Sequence, residues 1–131
     1  MNKYYNFAFI VPDENSQEID KYKSFLEKME LSVLILPHSM ESLDQIANFD
    51  ICKVIVYDNQ TDSFARKLII EASVRKMFKK TTFYNLAKDK PDDDQQIILM
   101  SIGYAGFLEL EFSADEARSI IDLHDYRQRA A

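Results

Sequence analysis

Hydrophobic positions along the chain change period repeatedly, and those changes lay out its elements. Phe7, Ala8, Phe9, Ile10 and Val11 form an unbroken apolar run stopped by Pro12 and Asp13, which predicts a strand over 7–11 buried on both faces. Ile19, Tyr22, Phe25, Leu26 and Met29 then recur at three- and four-residue steps, the pattern of an amphipathic helix, with Ser16 placed to cap it. A second strand over 32–36 ends at Pro37, and Ser39 opens a short helix carrying Leu43, Ile46 and Ala47. The third strand, 54–57, runs into Asp58 and Asn59. From Thr61 or Asp62 a longer helix carries Phe64, Leu68, Ile70 or Ala72, and then Val74 and Met77. A fourth strand over 81–86 is followed by a charged loop, 88–94, and a helix from about residue 94 to 102 whose exit suits Gly103. The fifth strand is expected over 107–112. Ser113 and Glu116 have capping-box spacing, and the last helix continues through Ile120, Ile121 and His124.

Strand and helix therefore alternate five times. Crossovers of this kind are right-handed and build a parallel sheet covered by helices on both faces. Chemistry on such sheets gathers beyond the carboxyl ends of the strands, so the residues just after each strand are the ones to examine.

Composition narrows the function classes. At 131 residues the chain is the size of one domain, and it is read as a single unit over 1–131. A net charge of −6 argues against a general nucleic-acid or membrane-surface binder, both of which need a basic face. The local cluster Arg75, Lys76, Lys79 and Lys80 reads as a solvated helix end. Cys52 is the only cysteine and lies in an apolar run, so it reads as an inert buried thiol. His38 and His124 are far apart with no ligand-spaced acid or Cys, and neither reads as a metal ligand. No membrane-span or signal pattern appears, and a cytoplasmic location is expected. The mildly basic end, 126–131, reads either as a natural end or as the first turn of a linker helix into a further domain.

At the strand ends stand acids: Asp13 and Glu14 after the first, Asp58 after the third. Carboxylates converging from neighbouring strands suit a hard cation such as Mg²⁺, and an Asp there can also serve as a nucleophile towards a phosphoryl group. The bland alternative is that Asp and Asn simply end strands in turns.

Three segments carry a family resemblance. Ile10-Val11-Pro12-Asp13-Glu14 and Val54-Ile55-Val56-Tyr57-Asp58 resemble the first and third strands of response regulator receiver domains, which end in an acid pair and in the phosphate-accepting Asp. Ile102-Gly103-Tyr104-Ala105-Gly106-Phe107 is similar to that family's Gly-rich entry to the fifth strand, and Phe112-Ser113 falls where its last helix opens. The resemblance covers essentially the whole chain in element order. It implies a doubly wound (βα)5 flavodoxin-like receiver fold, with a five-stranded parallel sheet in strand order 2-1-3-4-5.

Position by position, the site departs from the family. Pro12 stands where the first acid is expected. The switch hydroxyl at the end of the fourth strand falls on Leu86, or on Asn85 if the register slips by one. The lysine falls on Leu110 and the following proline on Glu111. Phosphoryl transfer to Asp is mostly positioning and charge neutralisation, so these losses remove much of what drives it.

The expectation is an atypical (pseudo-receiver) domain of two-component signalling: a phosphorylation-independent interaction and regulatory module, not an enzyme, requiring no cofactor. The partner would be another protein or a second copy, with no membrane and no direct nucleic-acid contact. By the resemblance, binding would use the face of the fourth helix, fifth strand and fifth helix, including Gln95, Gln96, Tyr104, Phe107, Glu109, Glu111, Arg118 and Asp122. The alternative is a conventional receiver that accepts phosphate on Asp58, with Asp13, Glu14 and Asp58 around Mg²⁺. A third reading, an unrelated flavodoxin-like enzyme or nucleotide binder, lacks a Gly-rich loop after the first strand, because Gly103 and Gly106 are the only glycines.

Overall fold

A computed structural model describes residues 4–59, 63–110, 112–113 and 115–120, with the side chain of Cys52 excepted. The elements are β1 (Tyr4–Val11), α1 (Ser16–Lys28), β2 (Val33–Pro37), α2 (Glu41–Asn48), β3 (Asp50–Tyr57), α3 (Phe64–Val74), β4 (Thr82–Ala87), α4 (Asp93–Ile102) and β5 (Gly106–Glu109). Residues 115–120 form a further helix, α5. The strands pair in parallel in the order β2-β1-β3-β4-β5. This is the (βα)5 receiver fold with the expected strand order.

Strand parity sorts the core into two layers. Ala8 and Ile10 of β1, Val54 and Val56 of β3 and Phe83 of β4 pack with Leu43, Leu68, Ile69 and Leu99, beneath α2, α3 and α4. Phe7, Phe9, Ile55, Tyr57 and Leu86 face the other way, onto Ile19 and Leu26 of α1 and onto Phe112 and Ala117. Because side chains alternate across a strand, one step along the chain moves a residue from one layer to the other.

Several boundaries differ from the sequence expectation. β1 and β3 start earlier, at Tyr4 and Asp50, because their polar first residues still pair with each other across the sheet. β5 ends at Glu109 rather than at Phe112, since Leu110 already lies in a turn. The cap of α4 is Asp92, whose carboxylate accepts the Gln95 N–H at 2.9 Å. Ser16 is the first residue of α1 rather than its cap. Ile70 and Val74, expected on the buried side of α3, are 45% and 70% exposed, while Ala65, Leu68, Ile69 and Ala72 carry its packing. The capping pair after β5 is present: Ser113 Oγ accepts the Glu116 N–H at 3.1 Å. Thr61, Asp62, Glu111, Ile121, Asp122, His124 and 126–131 lie outside the described residues.

Candidate functional site

Asp58 stands just past β3, half-buried, its N–H donating to the Leu86 carbonyl at 2.7 Å and so fixing it against the end of β4. The parity of β3 continues through it. Asp58 faces the layer of α2, α3 and α4, and there it meets Asn85, whose Nδ2 donates to Asp58 Oδ2 at 3.3 Å.

This fixes the register left open by the sequence. The residue facing Asp58 from β4 is Asn85, not Leu86. Leu86 is fully buried in the opposite layer, among Phe9, Ile55 and Tyr57, so its lack of a hydroxyl does not bear on Asp58 directly. Asn85 is itself fully buried, and its side chain lies close enough to the Tyr104 hydroxyl to act on its ionisation. Tyr104 in turn donates to the Ala65 carbonyl in the first turn of α3 at 2.9 Å. Two bonds thus meet behind Asp58, Asn85 to Asp58 and Tyr104 to α3, with the Asn85 and Tyr104 side chains next to each other. Burial drives the Tyr104 hydroxyl far above the usual phenol range; the Asn85 bond lowers it, and the negative charge of Asp58 raises it further.

Tyr104 therefore cannot belong to an interaction surface. It is 2% exposed and fills the space between α3, α4 and the entry to β5. Phe107 on the same layer and Gln96 are half-buried, and Gln95, Glu109 and Arg118 are the exposed candidates among the described residues of that face. Glu111 and Asp122 lie outside the described residues.

The acids of the first strand end lie on a turn of their own. Pro12 is buried and caps a 3-10 turn, Asp13–Asn15, which leaves Asp13 and Glu14 exposed. The cleft of about 470 Å³ at Asp58 opens instead between α3 and the loop into α4, with Ser63, Arg66, Lys90 and Gln95 on its wall. Among the described residues no group of three His, Cys, Asp or Glu is placed to hold a metal ion. Pro12 offers no side-chain oxygen and Asp58 Oδ2 accepts the Asn85 amide, so the acid set that the resemblance implies for Mg²⁺ is incomplete.

Leu110, at the lysine position, is on the other side of the sheet. It packs against the α1 layer and lines a second cleft of about 910 Å³ with Tyr22, Phe25, Tyr57 and Phe112. Tyr22 and Phe112 stack there, with ring centroids 5.0 Å apart. Burial raises the Tyr57 pKa, and Glu18 and Glu14 add to the shift. A Leu in this setting is ordinary packing chemistry.

His38 was not expected near the site. Its Nε2–H donates to the Tyr57 carbonyl at 3.1 Å, and its ring packs on Phe64 with centroids 3.8 Å apart. It therefore sits beside the end of β3, where the loop from β2 to α2 crosses. The sequence signal for Asn85 was stronger: one polar residue within Phe83-Tyr84-Asn85-Leu86-Ala87 implies a buried group that needs a partner.

No family model and no curated protein matches the sequence. Solved structures do match the fold. The signal receiver domain of a putative Luxo repressor protein from Vibrio parahaemolyticus superposes with a TM-score of 0.72 at 17% identity, over 96% of this chain and 94% of that one. A CheY-like protein (tadZ) from Pseudomonas aeruginosa PAO1 gives 0.65 at 17%, over 95% and 94%. A response regulator from Thermotoga maritima gives 0.64 at 18%, over 90% and 98%. The chain shares the receiver fold with these proteins along nearly its whole length.

Proposed function

We propose that this chain is a receiver-like module of two-component-type signalling that works by binding another protein, without phosphorylation of Asp58 and without catalysis of its own. One observation carries the reading: Asp58 is held by the amide of the fully buried Asn85, while Asp13 and Glu14 stand exposed on their own turn. An Asp that accepts phosphate needs a metal and a cation brought to it. Here its nearest polar neighbour on β4 is an uncharged donor. The binding surface in this reading is the side of α4 and β5, and the whole of 1–131 acts as one cytoplasmic module with no cofactor.

A conventional receiver remains the second reading, supported by Arg66 and Lys90 on the wall of the Asp58 cleft, where either cation could offset a phosphoryl charge. Acetyl phosphate or beryllofluoride with Mg²⁺, read by intact mass and amide chemical shifts, separates the two. The proposal expects no modification and no shift change near Asp58. Stoichiometric modification that disappears in Asp58→Asn would overturn it.

A further inference from the structure

Helix α4 buries only Leu99 and leaves Ile97, Ile98 and Met100 67%, 44% and 54% exposed. At about 100° per residue, Ile97 and Met100 fall on adjoining positions of the outward face, with Asp93 and Asp94 one turn above them. Beside this face runs β5, the edge strand of the sheet. Phe107 packs into the layer under α4, so Glu109, two residues on, stands on the same side and is exposed.

The segment that carries this apolar strip has charge of one sign, with Arg66 at Gln95 and the exposed Arg118 the cations beside it. From residue 91 to 117 there is no Lys or Arg, and there are seven acids: Asp92, Asp93, Asp94, Glu109, Glu111, Asp115 and Glu116. The chain as a whole has 16 cationic and 22 acidic side chains. Outside this segment the two signs nearly cancel, so the entire negative surplus belongs to the segment that carries the exposed isoleucines and methionine. A second copy presenting the same face would set acid against acid, which disfavours a two-fold dimer through it.

Resting on the binding-module reading above, we propose that the face of α4 and β5 takes a cationic amphipathic helix from a partner protein. Apolar residues spaced at three and four along that helix cover Ile97, Ile98 and Met100, and its Lys or Arg residues face Asp93, Asp94 and Glu109. The apolar contacts hold the complex, while the acids at the rim set its rate of formation and its salt dependence.

The test titrates the isotope-labelled full chain with a Leu/Lys amphipathic peptide about five helical turns long. A Leu/Glu peptide of the same pattern and a scrambled Leu/Lys peptide serve as comparators. Shifts confined to α4 and β5 are expected for the Leu/Lys peptide. The paired variant Ile97→Ser, Met100→Ser is expected to weaken binding roughly tenfold or more. Asp93→Asn with Asp94→Asn keeps the cap at Asp92 and is expected to remove much of the salt dependence. Equal binding of the scrambled peptide, or shifts located elsewhere, overturns the proposal. Equal binding of the Leu/Glu peptide at α4 overturns the cationic partner but leaves the face standing as a binding surface. Silence of α4 towards every peptide, together with phosphorylation of Asp58, overturns the underlying reading as well.

Discussion

Tyr104→Phe isolates the buried chain behind Asp58, because it removes one oxygen and nothing else. The hydroxyl donates to the Ala65 carbonyl at 2.9 Å beside the buried Asn85 side chain, at a position 2% exposed. The ring stays, so the apolar packing of the layer is preserved. Ala65 retains a helical donor from within α3, which limits its loss. The Asn85 amide keeps Asp58 as its acceptor and loses a polar neighbour. Removing one partner of a buried pair of this kind costs about 1–2 kcal/mol. With unfolding entropy of roughly 2 cal/mol/K per residue, a chain of 131 residues shifts its Tm by about 4 °C per kcal/mol, so a drop of about 4–8 °C is expected. Urea unfolding with an unchanged m-value should give the same free energy. A cycle with Asn85→Ala sharpens the test: residues sharing one hydrogen-bond chain should couple by at least about 0.5 kcal/mol. A loss below about 0.3 kcal/mol for Tyr104→Phe, with additive singles, would refute the chain as a structural unit.

Alkaline pH provides an independent view of the same group. The folded pKa of Tyr104 lies above its unfolded value of 10.0, so the native state holds its proton longer. Stability is then fully present below pH 10 and falls as pH rises above it, with a slope of about 1.4 kcal/mol per pH unit for each such tyrosine. Tyr57, also raised, adds to the loss, and Tyr104→Phe should flatten the slope in a pH series of urea melts. Gly103→Ala should cost about 2–3 kcal/mol, because φ is +136° there and a Cβ would overlap the Phe78 ring; a Tm within 2 °C of the parent would contradict this. Asp92→Ala removes the acceptor of the Gln95 N–H and should cost about 1 kcal/mol in thermal melts, with Asp92→Asn recovering most of it.

How much of this was legible in the sequence depends on what each signal measures. Apolar runs report burial, so β1 and β2 were found near their true positions and the (βα)5 order followed. They report little about strands with polar members. Lys53 is 6% exposed within β3, its Nζ 5.6 Å from the centre of the Tyr84 ring, and a lysine there concealed half the strand. Tyr104 was placed on the binding face by the resemblance, yet its hydroxyl is satisfied across 39 positions of sequence by Ala65. Contacts of that separation leave no periodic trace.

The site turned on parity, which a single sequence fixes only to within one residue. Sliding β4 by one step exchanges Leu86 for Asn85 in front of Asp58, and with it a site that has lost its hydrogen-bond donor for one whose donor is already in use. The three departures at Pro12, Leu86 and Leu110 consequently have different physical meanings. Pro12 removes a carboxylate beside Asp13, while Leu86 and Leu110 complete the α1 layer on the far side of the sheet. What faces Asp58 from β4 is Asn85, and beside it lies Tyr104 of the turn between α4 and β5. The group that bonds Asp58 thus also lies next to the start of the strand bordering the acidic apolar face. A loosened chain in Tyr104→Phe should therefore weaken peptide binding at α4 by destabilising its border, whereas Asp58→Asn, which keeps an acceptor oxygen for the Asn85 amide, should leave that binding unchanged.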